Sequence, residues 1–99
     1  HLIRDPRTVG QLSSLVRDSD EAVQLAAVAA LGRTGDARAV EPLAGALMDG
    51  HKAVRLAALD ALGALRAEQA RKPVQELLTN ESDPELRAKA EAVLLLLPR

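Results

Sequence analysis

Cysteine, phenylalanine, tryptophan and tyrosine are all absent from the 99 residues of this chain. Without cysteine the chain has no disulfide and no thiolate, which leaves its redox compartment open. Without aromatic residues the core has to be built from Ala, Leu and Val, and Ala and Leu are among the residues with the highest helix propensities. A chain rich in Ala, Leu, Arg and Glu with helical periodicity is therefore predicted to be all-α.

An excess of charge of either sign is also missing, because 13 basic residues stand beside 14 acidic ones and the formal net charge is −1. A dedicated nucleic-acid binder needs a basic stripe that displaces counterions, and aromatic rings on which bases stack. The composition therefore argues against nucleic acid as a partner. The apolar run at residues 93–97 is far too short to span a bilayer, so we expect no membrane insertion.

What the chain does contain is an internal repeat. Residues 22–32 return as residues 53–63, with Val, Leu and Gly at matching positions and an offset of 31. A fixed period of this length is typical of helix pairs that stack and share a continuous core. We predict an α-solenoid of about three helical hairpins, with a compact six-helix globule as the alternative.

The repeat divides the chain into two kinds of helix that alternate. We call them B helices and A helices, and predict B helices at 5–17, 37–48 and 67–79, and A helices at 20–32, 51–64 and 84–97. The chain begins at His1 rather than Met and shows no signal peptide, so we expect residues 1–99 to be one domain excised from a longer repeat array. A cytoplasmic location is the default.

Several residues mark predicted helix ends. Asp5 and Asp36 occupy N-cap positions, where a carboxylate accepts the N–H groups of the first turn. Gly32 is predicted to be the C′ residue that ends the first A helix. Pro42 is tolerated in a first turn and harmful deeper in a helix, so residues 36–40 are predicted to form a tight turn or a 3₁₀ turn before the regular B helix.

The third B helix breaks the apolar stripe that its two predecessors share. Arg71 stands where the earlier copies have Val9 and Val40. We expect the neighbouring Ala70 to take the buried place instead.

Three stretches carry a resemblance to a known family. They are Val-Arg-Leu-Ala-Ala-Leu-Asp-Ala-Leu-Gly at 54–63, Leu-Gly-Arg-Thr-Gly-Asp-Ala-Arg-Ala-Val-Glu-Pro-Leu at 31–43, and Ser-Asp-Pro-Glu-Leu-Arg at 82–87. In these the chain resembles the HEAT family, in the short bacterial form known as HEAT-like or PBS-lyase-type repeats. One departure is Gln24, which stands where the later copies have Arg55 and Arg87.

The resemblance implies a fold and leaves the function open. It implies a solenoid whose B helices line the concave face. As the function we predict a non-catalytic protein–protein interaction scaffold that uses this B-helix face. The alternatives it suggests are an accessory or lyase-type subunit acting on bilin-bearing proteins, and a HEAT-like module that binds nucleic acid.

No pattern in the sequence indicates catalysis. His51 lies at a loop-to-helix junction, where a solvated residue is the simplest interpretation, and no His-Glu dipeptide or cysteine offers metal ligands. The paired acids Asp18 and Asp20, and Asp83 and Glu85, fit the preference of helix N-termini for carboxylates. We predict no enzyme activity, no cofactor and no metal.

The polar side of the B helices is the predicted partner surface. Gly45 is unusual there, because glycine inside a helix costs up to ~1 kcal/mol relative to alanine. It allows close approach either of a partner backbone or of a neighbouring helix, and Met48 provides either a soft apolar contact or edge packing. The candidate residues are Arg7, Gln11, Ser14, Arg38, Glu41, Gly45, Met48, Lys72, Gln75, Glu76 and Thr79.

Four consecutive leucines end the last A helix: Leu94, Leu95, Leu96 and Leu97. They point to all sides of the helix, and only one side can cover the preceding B helix. A terminal repeat is normally polar on its outer face. We therefore expect the remaining leucines to be covered by a further repeat or by a second copy in a homodimer.

Overall fold

The computed structural model describes residues 6–49 and 51–98, with the side chains of residues 6 and 7 left outside that description. Within this part the chain is helical and contains no strand, which confirms the all-α class. The six helices are α1 (Pro6–Val16), α2 (Glu21–Arg33), α3 (Val40–Ala46), α4 (Lys52–Leu65), α5 (Arg71–Asn80) and α6 (Pro84–Leu96). The predicted cap Asp5 lies outside the described residues.

The helices form two layers with the core between them. The A helices α2, α4 and α6 make one row, and each B helix packs against the A helix that follows it. Fully buried aliphatic side chains from both layers fill the interior, among them Leu31, Leu43, Leu59, Leu62 and Val74. Each hairpin thus covers its neighbour, as a solenoid requires.

The two rows differ in how closely their helices approach. Neighbouring A helices share extensive contacts, whereas neighbouring B helices touch at only a few points. The closest helix-to-helix contacts of the described chain therefore lie in the A row.

Gly32 explains the close spacing of the A row. It lies inside α2, which continues to Arg33, so its predicted role as a C′ residue is wrong. A Cβ added at Gly32 would lie 2.8 Å from the Ala61 Cβ and 3.0 Å from the Ala61 Cα. Since such a contact is too short for real atoms, the missing side chain is what lets α4 approach α2.

The predicted helix starts are largely confirmed. The Asp36 carboxylate accepts the Arg38 backbone N–H at 2.9 Å and opens a 3₁₀ turn at Ala37–Ala39. A second 3₁₀ turn at Glu68–Ala70 precedes α5 in the same way. Pro42 lies in the first turn of α3, as its missing N–H demands.

Arg71 has a structural role that the sequence did not reveal. Ala70 is fully buried in its stead, as expected. The Arg71 Nη2 donates to the Leu97 carbonyl at 2.9 Å and to the Pro98 carbonyl at 3.0 Å, beyond the end of α6. The guanidinium thus satisfies carbonyl groups that lack partners at a helix C-terminus.

Candidate partner-binding site

A polar link joins α2 to the loop before α4, and a second link joins α4 to the loop before α6. In the first link the Gln24 Nε2 donates to the Val16 carbonyl at 2.9 Å and to the Asp49 Oδ2 at 2.8 Å. In the second link the Arg55 Nη1 donates to the Glu81 Oε1 at 3.0 Å. Gln24 and Arg55 are separated by the repeat offset of 31, so the two links occupy the same place in successive repeats.

Arg87 holds the third position of this series. Its Nη1 donates to the Leu78 carbonyl at 2.6 Å and to the Glu81 carbonyl at 3.0 Å. Leu78 stands where Val16 stands in the first repeat, so Gln24 and Arg87 bond the end of a B helix in the same way. The A helices are therefore tied to the B helices at a fixed point in these two repeats.

An acidic residue also fixes the shape of each loop that precedes an A helix. Each of these acids lies two residues before an N-cap residue and accepts its backbone N–H, which fixes the entry into the next A helix. The pairs are Asp18 with Asp20 at 2.8 Å, Asp49 with His51 at 2.8 Å, and Glu81 with Asp83 at 3.0 Å.

A groove, which we call groove 1, lies between α1 and α3 on the B-helix face. Its volume is about 780 Å³. Helix α1 contributes Ser13, Ser14 and Val16, and Arg17 follows at its end. Helix α3 contributes Glu41, Pro42, Gly45 and Ala46, while Gln24 and Asp49 complete the lining.

A second groove, groove 2, lies between α3 and α5 and has a volume of about 480 Å³. Ala44, Leu47, Met48 and Asp49 line one wall. Pro73, Glu76, Leu77 and Asn80 line the other, and Arg55 and Glu81 complete it. Both volumes fall in the range of sites that accept a ligand group or a side chain.

The two grooves are copies of one another. Adding 31 to the numbers of the ten residues that line groove 1 gives a residue that lines groove 2 in eight cases. Gln24 and Arg55 occupy equivalent places, and each has a buried polar atom without a hydrogen-bond partner among the described residues: the Gln24 Oε1 and the Arg55 Nε. The B-helix face therefore presents the same recess twice, with a different polar group in each.

The structure brings half of the described candidate residues into these recesses. Ser14, Glu41 and Gly45 line groove 1, while Met48 and Glu76 line groove 2. The other five are exposed but lie outside both grooves, and the side chain of Arg7 falls outside the described part. These five are Gln11, Arg38, Lys72, Gln75 and Thr79.

The sequence analysis missed the groove residues that do not lie on the outer side of a B helix. They are Ser13, Arg17, Gln24, Asp49, Arg55, Asn80 and Glu81. The signal that could have found Gln24 and Arg55 was the 31-residue register, which places two long polar side chains at one position of otherwise apolar helices.

The structure decides between the alternatives for two residues. A Cβ added at Gly45 would have no atom within 4 Å, so no neighbouring helix of the described chain requires this glycine. Met48 is 84% exposed, which excludes edge packing within the described chain. Both residues are therefore available to a partner.

Acidic groups prevail in the two grooves. Arg17 and Arg55 contribute two positive charges, whereas Glu41, Asp49, Glu76 and Glu81 contribute four negative ones, so the grooves together carry a formal charge of −2. The hydrogen bond from the His51 backbone N–H, with smaller help from the Gln24 amide, holds the pKa of Asp49 below its ordinary value of 3.8 against the opposing effect of burial. Asp49, which lines both grooves, is thus ionised at neutral pH.

Ion pairs also link the A helices. The Lys52 Nζ lies 3.0 Å from the Asp83 Oδ2 and 2.9 Å from the Glu85 Oε1, and these hydrogen bonds raise the pKa of Lys52. Asp83 also caps α6 by accepting the Glu85 backbone N–H. These acids therefore serve as caps and ion-pair partners.

His51 has no ligand-like surroundings in the described chain. It is exposed, and its Nδ1 lies 3.2 Å from the Asp49 Oδ1. No group of three or more His, Cys, Asp or Glu side chains in the described chain is placed to hold a metal ion.

The four leucines at the end of α6, of which Leu97 is the C-cap residue, differ in exposure. Leu97 is buried and Leu94 is half-buried, whereas Leu96 is 47% exposed and Leu95 is 85% exposed. Because the last loop is one residue longer, Leu95 occupies the place that Gly32 and Gly63 hold in the preceding A helices.

The fold defines a class of protein, an α-solenoid in which helical hairpins stack in register. The sequence model of the HEAT repeats matches residues 2–95, and the chain belongs to this family. HEAT repeats generally mediate protein–protein interaction. No curated protein matches the chain, and none of the described helices is long and apolar enough to cross a membrane.

Proposed function

We propose that this chain is a non-catalytic module that binds a protein partner through its B-helix face, with groove 1 and groove 2 as the contact sites. The observation that carries the proposal is the duplication of the recess at the repeat offset. A partner segment that fits one groove meets the same shape again at the next repeat. Two weak contacts on one segment then bind far more tightly than either alone.

The exposed polar groups of this face support the proposal. All ten described candidate residues on the B helices are exposed, and none is needed to fill the core. The grooves carry excess negative charge, which opposes nucleic-acid binding. No described feature favours a bilin-lyase function.

The test uses peptides selected from a random display library on the full chain. Ser14→Trp places a large side chain at the mouth of groove 1, whereas Ala64→Trp changes an equally exposed residue of α4 that lines neither groove. We expect Ser14→Trp to weaken binding about tenfold or more, a loss of about 1.4 kcal/mol, and Ala64→Trp to leave it unchanged. Selected peptides that bind both variants alike and shift the amide signals of α2, α4 and α6 would contradict the proposal.

We further propose that the exposed leucines of α6 are covered in the working assembly, by a second copy of the chain or by a further repeat. Leu95 stands where glycine permits close A-helix contact, so whatever covers it has to lie further out than α4 lies from α2. Sedimentation velocity measures whether the chain forms a dimer. A dimer that Leu95→Lys dissociates supports the second copy, and a monomer at high concentration contradicts it.

A further inference from the structure

We propose that the partner of the B-helix face is an extended segment rich in arginine, which crosses α3 at Gly45 and places cationic side chains in groove 1 and groove 2. This inference rests on the proposed function and specifies the chemistry of its partner. Three observations carry it: a glycine without a structural reason, the charge of the grooves, and a buried acceptor without a donor on Gln24, which lines groove 1.

Gly45 is the first observation. It lies inside α3, where glycine is less favourable than alanine, yet no atom of the described chain would touch its missing Cβ. It shares the groove 1 side of α3 with Glu41, four residues earlier. A bare stretch of helix beside a carboxylate is suited to a chain that passes close to the helix surface.

The charges of the grooves determine what that chain carries. The Arg55 guanidinium already pairs with Glu81, so the remaining charged groups are Glu41, Asp49 and Glu76 against Arg17. Glu41 lies in groove 1 and Glu76 in groove 2, while Asp49 lines both. A cationic side chain in either groove therefore meets a carboxylate, whereas an acidic one is repelled.

The remaining basic residues of this face do not make the net charge of the grooves positive. Arg38 lies outside both grooves and pairs with Asp36 through an Nη2 to Oδ2 contact of 2.6 Å. Lys72 is exposed at the start of α5 and lines neither groove.

The lining of groove 1 adds a preference for donors. Gln24 is 5% exposed, and its two N–H groups are used by Val16 and Asp49, so its Oε1 remains an acceptor without a donor in the described chain. A buried acceptor without a donor is unfavourable. Arginine suits this groove better than lysine, because its planar guanidinium can bond a carboxylate through two parallel N–H groups.

The first experiment measures binding of two labelled peptides of equal length to the full chain by fluorescence anisotropy. One is built from Arg-Gly-Ser repeats and the other from Glu-Gly-Ser repeats. We expect the arginine peptide alone to bind, more weakly as salt is added, and to shift the amide signals of Ser14, Gly45 and Glu76. Equal binding of the acidic peptide, or shifts confined to the A helices, would overturn the inference.

A matched pair of glycine variants isolates the close approach at Gly45. Gly10 lies in α1, is exposed, has no atom within 4 Å of a Cβ and lines neither groove. Gly45→Ala and Gly10→Ala should both raise Tm by about 2–8 °C, because alanine favours the helix. Only Gly45→Ala should weaken the arginine peptide, by roughly fivefold or more. If both variants bind alike, the segment does not cross α3 at Gly45.

Charge variants test whether the grooves prefer a cationic peptide. Glu41→Gln and Glu76→Gln should each weaken binding of the arginine peptide several-fold. Arg17→Gln should strengthen that binding, and Lys72→Gln should change it least. Peptides selected from the random library separate this inference from the proposed function. If they lose binding with Ser14→Trp but show no enrichment in arginine, the inference fails and the proposed function stands. If they ignore Ser14→Trp, both fail.

Discussion

The α2/α4 junction and the α4/α6 junction use the same glycine position against different neighbours. At the first junction Gly32 faces the Cβ and Cα of Ala61, and at the second Gly63 faces the Leu96 Cδ1 at 3.3 Å and the Val93 Cγ2 at 3.4 Å. A backbone cannot yield, but the end of a leucine side chain can rotate. The repeat register therefore fixes where close contact occurs, while the opposing residue fixes how rigid that contact is.

The largest predicted effect tests this difference with alanine at each glycine. Gly32→Ala has to push α4 away from α2, and we expect a loss of about 1–3 kcal/mol in the free energy of unfolding despite the better helix propensity. Gly63→Ala meets a movable side chain, so we expect a change within about 1 kcal/mol of zero. Urea denaturation of the two variants beside the wild type provides the comparison, and equal losses would contradict it.

The polar links at the two junctions differ as well. Arg55→Leu leaves the Glu81 carboxylate, whose side chain is 17% exposed, without its charged partner, and we expect a loss of about 1–3 kcal/mol. Gln24→Leu removes two donated hydrogen bonds but also a buried Oε1 without a donor, so we expect a loss of about 1 kcal/mol or less.

Chemical denaturation of both leucine variants gives the two losses, and Glu81→Gln in the Arg55→Leu background serves as the control. If the stranded carboxylate causes the larger loss, removing its charge should restore part of it. A larger loss for Gln24→Leu than for Arg55→Leu would contradict this account.

The sequence was sufficient to predict the helices and their pairing, which follow from the 31-residue register. It was insufficient to predict how deeply equivalent residues are buried, which depends on the helices that surround them. The 31-residue offset predicted the helix pairs correctly, and Leu31 and Leu62, which it makes equivalent, are both fully buried. It also made Val23 equivalent to Val54, yet Val23 is half-buried and Val54 is fully buried. The reason is that α4 packs between two A helices, whereas α2 contacts only one among the described residues.

The site was harder to predict than the fold for the same reason. Ser14 lines groove 1 from α1, whereas Glu41 and Gly45 line it from α3, so the three residues meet only because these two helices pack side by side. Local helix patterns carry no information about the spacing of a row. The positions of exposed residues on each B helix were therefore predictable, but not which of them meet.

The smallest predicted effect concerns pH and separates the acids of the two junctions. The pKa of Asp49 is lowered mainly by the His51 backbone N–H, and that of Asp83 mainly by the Lys52 side chain. A carboxyl group whose folded-state pKa lies below its unfolded value stabilises the fold above that unfolded value, here 3.8, and loses the effect as the pH falls through the folded-state pKa. Both contributions should therefore disappear in acid.

At alkaline pH the two junctions should differ in how their stability depends on pH. The pKa of Lys52 is raised above its ordinary 10.5 by Glu85 and Asp83, so its contribution is complete below 10.5 and is lost as the pH rises through the folded-state value. Asp83→Asn should therefore reduce the dependence of Tm on pH at both extremes, whereas Asp49→Asn should reduce it only in acid, because no lysine contacts Asp49 in the described chain. Thermal unfolding across pH measures both slopes. An alkaline effect of Asp49→Asn equal to that of Asp83→Asn would show that the first junction depends on a charge pair and not on backbone and amide hydrogen bonds.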